Sequence, residues 1–141
     1  MSSDIDIAAC MRCHCLTARR RAREITRIYD SHLRPHGLRA TQFSVLVALE
    51  VSGGAPLQPL AEELGVERTT LTRSAAVMEQ KGWVRSAASD DAREHVLELT
   101  RAGRNKLMSA YPAWKSAQDE VAGMQALAAE RVRPRQNRTA T

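Results

Sequence analysis

Aromatic residues are scarce in this chain: one Phe, two Tyr and two Trp among 141 residues. Any core must therefore be filled mainly by aliphatic side chains, and 43% hydrophobic residues are enough for one compact domain. No apolar run approaches the ~20 residues that a membrane-spanning helix requires. The opening residues, Met1 to Asp6, are acidic and contain no signal-peptide core. Together these absences point to a cytoplasmic protein with mostly reduced thiols. There is no P-loop, no GxSxG, no HExxH and no paired-carboxylate arrangement, so no enzyme signature emerges and no cofactor is implied. Asp90-Asp91 reads as ordinary turn chemistry. Nor is there an acidic excess: 21 Lys and Arg face 16 Asp and Glu, a net charge of +5, which makes polyanions plausible partners.

What the chain does contain is concentrated between Gln58 and Thr100. Leu60, Ala61 and Leu64 share one face of a short helix, with Pro59 in its first turn, where a missing N–H costs little. Gly65 supplies a turn because it adopts positive φ without strain. A second helix follows. At ~100° per residue, Leu71, Ser74, Ala75 and Met78 share an inward face. Thr69, Thr72, Arg73, Ala76 and Gln80 share the opposite one, flanked by Arg68 and Thr70.

Gly82 ends that helix. Residues 83–87 and 95–99 then read as two strands around a Ser-Asp-Asp turn, with Arg93 near its tip. Helix, turn, helix and wing in this order offer one helix to a DNA major groove. Arg and Thr can pair with base edges or hold phosphate, and a wing-tip Arg can enter a minor groove. We therefore single out Arg68, Thr69, Thr70, Thr72 and Arg73 for the major groove and Arg93 for the minor groove. The plainer alternatives are a solvated helix face and an Arg93–Asp91 pair that shapes the loop.

These residues, with the stretches Gly37–Leu46, Leu60–Val66, Arg68–Arg73, Glu79–Val84, Asp91–Arg93 and Leu97–Arg104, resemble the MarR family (multiple antibiotic resistance regulators) over residues 33–121. The order and spacing of the pieces carry the resemblance, since no single one is diagnostic. It implies a mainly α winged helix-turn-helix with a small β-hairpin wing, and a homodimer held through terminal helices. It further implies double-stranded DNA with a pseudo-palindromic operator as partner, and release by a small, often aromatic, effector or by cysteine oxidation. Effectors of this family bind between the dimerisation helices and the winged domain, which makes Tyr29, His32 and Phe43 candidate pocket linings; core packing is the competing role for Tyr29 and Phe43.

The expected organisation is a dimerisation helix over 1–32, a DNA-binding domain over 33–99, a C-terminal dimerisation region over 100–131 and a basic disordered tail over 132–141. Within it, helices are expected near 5–32, 41–51, 58–64, 67–81 and from about 100 to 121. Two departures from the family stand out. The chain passes through Gly123 into a basic, Pro134-containing end instead of a substantial closing helix, and the wing carries Glu94 and His95 where basic residues are usual.

All three cysteines fall within six residues, Cys10, Cys13 and Cys15, with His14 among them. The Cys10-Met-Arg-Cys13-His14 spacing matches c-type haem attachment, but that chemistry needs export. Three roles remain: small hydrophobes near an interface, redox-sensing thiols beside Arg12, Arg19 and Arg20, or a thiol-based metal-responsive site. A seam through Met11, Cys15, Ala18, Ala22, Ile25 and Tyr29 has the 4- and 3-residue spacing of a helix packed on a partner. On a continuous helix Cys10 and Cys13 would lie more than ~100° from that seam, so one metal ion could not collect all three thiols. The run Arg19–Arg23 reads as a solvated face.

Overall fold

The computed structural model describes residues 4–88 and 95–132. A short 3₁₀ segment, Ile7–Arg12, precedes α1 (His14–Leu33). Then come α2 (Ala40–Ser52), β1 (Ala55–Pro56), α3 (Leu57–Leu64), α4 (Arg68–Gln80), β2 (Val84–Ala88), β3 (His95–Leu99) and α5 (Arg101–Val132). The architecture is a winged helix-turn-helix flanked by two long helices.

α2 runs through the centre and buries Gln42, Phe43, Val45, Leu46 and Leu49. Its N-terminus is tied to α1, because the Ala40 amide donates to Asp30 Oδ1 at 2.7 Å. Around it close Leu33 from α1, Leu60 and Ala61 from α3, Leu71, Ala75 and Met78 from α4, and Leu97 from β3. Each fully buried Leu or Met contributes about 1.5–3 kcal/mol. Aliphatic side chains dominate this core, as the aromatic scarcity requires.

The α3–α4 turn depends on Gly65 at φ 64°, whose amide satisfies the carbonyls of Ala61 and Glu62 at the end of α3. A second glycine serves a different purpose. Gly103 lies in the first turn of α5, where an added Cβ would sit 2.0 Å from the Trp83 carbonyl oxygen. Only a hydrogen at that position lets α5 pass over the start of β2. Thr100 caps the same turn: its Oγ1 accepts from the Gly103 amide at 3.0 Å and donates to the Gly82 carbonyl at 2.5 Å.

Three features differ from the sequence expectation. The wing is a three-stranded antiparallel sheet in the order β1-β3-β2, with Ala55 opposite Leu97 and Pro56 opposite Val96. Two residues ending in Pro carry no strand pattern, so β1 exists only because β3 offers it an edge. Second, α5 does not stop near 121 but runs to Val132. Gly123 in an exposed helix costs only about 1 kcal/mol relative to Ala, and the helix formers on either side outweigh it. Pro112 is likewise absorbed within α5. Third, the N-terminal helix is broken at Cys13, whose extended backbone (φ −60°, ψ 131°) separates the 3₁₀ segment from α1. The tail expected to be disordered lies, from 133 on, outside the described residues.

Candidate nucleic-acid interface

α4 is split by its own periodicity. Leu71, Ala75 and Met78 are buried against the core, while Arg68, Thr69, Thr70, Thr72, Arg73, Ala76 and Gln80 are all exposed. The helix begins at Arg68, so the first three of these residues sit in its first turn, where free amides and the helix dipole favour anions. Among the described residues neither Arg68 nor Arg73 makes an ion pair, whereas Arg85, Arg104 and Arg21 do. Both guanidinium groups are thus available to an external acceptor.

Thr72 differs from the other hydroxyls. Its Oγ1 donates to the Arg68 carbonyl at 2.9 Å, so the hydroxyl proton is committed within the helix. What Thr72 can present outward is an acceptor lone pair and a methyl group. In the wing, Arg85 on β2 is paired with Glu98 on β3 at 3.0 Å. Arg93, assigned to the minor groove, lies outside the described residues, as does Glu94.

A second feature lies away from the exposed face of α4. A groove of about 570 Å³ opens between α2, α3 and α5, lined by Phe43, Val47, Val51, Leu64, Met108 and Trp114 among others. Phe43 and Trp114 stack with centroids 5.9 Å apart, and Tyr111 stacks on Trp114 at 5.7 Å. Among the described residues, Glu63 is the one charged side chain on its wall. Of the three pocket candidates, only Phe43 lines this groove. The Tyr29 hydroxyl instead hydrogen-bonds Gln118, and His32 Nε2 meets Glu120 Oε2 at 2.7 Å. These two residues fasten α1 to α5. The sequence signal that was missed is the Leu107, Tyr111, Trp114 spacing, one helix face holding two of the chain's five aromatics.

The three cysteines are exposed and flank the break in the N-terminal helix. Cys10 is in the 3₁₀ segment, Cys13 caps α1 and Cys15 lies in its first turn, with Arg19 Nη2 4.0 Å from Cys15 Sγ. The continuous helix on which the seam argument depends is therefore not formed. Even so, no group of three His, Cys, Asp or Glu side chains among the described residues is placed to hold a metal ion.

A profile of the MarR family matches residues 38–95. The HTH-type transcriptional regulator YwoH of Bacillus subtilis (strain 168) is 34% identical over 85 residues, covering 60% of this chain and 62% of that protein. The transcriptional repressor MprA of Escherichia coli (strain K12) is 35% identical over 83 residues, covering 57% and 47%. The chain thus spans less than two thirds of the length of these curated relatives. Among solved structures, the M. tuberculosis transcriptional regulator MosR in complex with DNA is 46% identical, with a TM-score of 0.71 over 79% of this chain and 81% of that one.

Proposed function

The chain belongs to the MarR family, and from that premise we propose that it is a sequence-specific, DNA-binding transcriptional regulator. It acts as a homodimer, most simply as a repressor that occupies a promoter. The observation that carries this reading is the exposed face of α4, where Arg68, Thr69, Thr70, Thr72 and Arg73 stand clear of the core. The DNA bound by MosR, a relative at 46% identity, supports the same partner. Two copies would set their α4 helices into successive major grooves, roughly 34 Å apart, with Arg93 reaching the minor groove. No described helix is long and apolar enough to cross a membrane.

Release follows one of two routes. The α2–α5 groove has the aromatic walls of a small-ligand site. Its lone charge is the Glu63 carboxylate, which favours a neutral or cationic aromatic effector over an aromatic acid. The other route is oxidation of the exposed thiols at the break before α1. A disulfide there would fix the frayed N-terminus of a helix that packs on α5. Nothing in the arrangement of side chains favours the thiol-based metal reading.

Fluorescence anisotropy on the DNA upstream of the protein's own gene, with a salt titration in reductant and then in mild oxidant, tests the proposal. Tight, sequence-selective binding with a steep salt slope is expected. Arg73→Ala should weaken it by about 1–3 kcal/mol and relax the preference at one base pair. Binding no better than to random duplexes overturns the DNA reading. Oxidant-insensitive binding by the wild type, matched by a variant with all three cysteines changed to Ser, removes the redox route and leaves the groove.

A further inference from the structure

Lysine is rare here. Of the 21 basic residues only Lys81, Lys106 and Lys115 are lysines, and two of the three converge on one ring. Lys81 Nζ lies 4.8 Å from the centroid of Trp83 and Lys106 Nζ 5.4 Å from it. Each ammonium also donates to a carbonyl at the end of the α1–α2 connection, Lys106 to His36 at 3.1 Å and Lys81 to Gly37 at 3.4 Å. Those carbonyls end a short 3₁₀ turn, Arg34–His36, where cations and donors are favoured. Trp83 is buried, and its backbone is held on both sides: its amide donates to Met78 at the end of α4, and its carbonyl accepts from Thr100 at the start of α5.

Four parts of the chain therefore meet at one indole. Lys81 follows the last turn of α4, Trp83 leads into the wing, Lys106 belongs to α5, and the two carbonyls follow α1. We propose that the Lys81–Trp83–Lys106 cluster is a positioning device that fixes the angle of the reading helix against the terminal helices, and so sets the half-site spacing the dimer accepts. This rests on the dimeric DNA-binding reading given above. None of the three residues needs to touch DNA for this. The face of an indole attracts an ammonium through the ring quadrupole, and Lys106 has a specific geometry to defend because its carbonyl partner is half-buried. Loss of that ammonium frees α5 to slide relative to α4, which changes where two reading heads fall along a duplex more than how well each one reads.

The test uses the full chain and a duplex selected from random sequences by the wild-type protein. Three probes are built from it: the intact site, the site with one half scrambled, and a set with one to three base pairs added or removed at the centre. Lys106→Met, which keeps the stem and loses the charge, should weaken binding to the intact site by roughly tenfold, a loss of ~1.4 kcal/mol. Binding to the half-scrambled site should change by less than about twofold, and the spacing preference should broaden or shift. Lys106→Arg keeps a cation over the ring and should restore the wild-type preference. Lys81→Met should act in the same direction. Equal losses on both probes with an unchanged spacing preference overturn the positioning role, as does an unaffected Lys106→Met. Failure of the wild type to enrich any sequence overturns the DNA reading itself, and the positioning role with it. Thermal unfolding of each variant separates a fold defect from a spacing defect, because a fold defect lowers binding to every probe alike.

Discussion

Between Leu33 and Ala110 every element contributes to one closed core, yet from residue 4 to 32 no side chain is buried. The first region buries most of its Leu residues and Val45 and Val84 against itself, though Val51 stays exposed. The second displays Ile5, Ile7 and Met11 at 60–77% exposure and leaves the first three turns of α1 open on nearly every face. The far end of α5 behaves like α1, with Leu127 and Val132 exposed. Isolated amphipathic helices derive little stability from propensity alone, so apolar side chains left open at the start of α1 and the end of α5 are suited to cover by a partner. The contrast separates a region that folds on its own contacts from helical arms that, under the proposed function, a second copy would cover.

The strongest way to break that contrast is Met11→Asp. If the exposed apolar side chains of the 3₁₀ segment face a partner, each protomer loses about 1.5–3 kcal/mol of apolar burial, and the loss counts twice per dimer. Sedimentation across a dilution series should then show the dimer dissociating at a much higher concentration than wild type. An unchanged dissociation curve would place the interface elsewhere.

A smaller effect of opposite sign in the two regions comes from the two glycines of α5. Gly103→Ala drives a methyl group into the Trp83 carbonyl and should destabilise by about 1–3 kcal/mol. At Gly123 an added Cβ meets nothing, so Gly123→Ala should stabilise the helix by about 0.5–1 kcal/mol. Urea unfolding measures both. The same sign at the two sites would mean that the arm is as tightly packed as the head.

The smallest effect concerns the join between α2 and α5. Arg104 makes two hydrogen bonds to the Glu50 carboxylate, which hold its pKa below the ordinary value, with the guanidinium charge adding to the effect. A depressed folded pKa gives stability that is present above the ordinary carboxylate range and lost as pH falls through the folded value. Melting temperature should therefore drop on acidification below about pH 4.5. Glu50→Gln should flatten that part of the profile, and added salt should shrink it, because the pair is exposed. A profile identical in the variant would remove the pair from the account.

Much of the head was legible without coordinates. Leu60, Ala61 and Leu64, the Gly65 turn, and the Leu71, Ala75, Met78 stripe are local patterns with periods near 3.6, and each fixes which face turns inward. That also exposed Arg68, Thr69, Thr70 and Arg73 by default. The pocket was less legible. Phe43 lies on the wall of the α2–α5 groove, whereas Tyr29 and His32 meet Gln118 and Glu120 of α5, partners that no local pattern announces. Those partners are 89 and 88 residues away in the chain.

The sequence by itself determined the succession of helix, turn, helix and hairpin over residues 58–99, the two faces of α4, the basic charge and the clustering of thiols, because each is a local property of the chain. Only the tertiary structure decided that Ala55–Pro56 would become a strand, that the N-terminal helix would break at Cys13, and that Trp114 would stack on Phe43. It alone brought Lys81 and Lys106 to one indole. Each of these depends on which surfaces meet after the chain has folded back on itself, and that pairing is set by long-range packing that no local periodicity records.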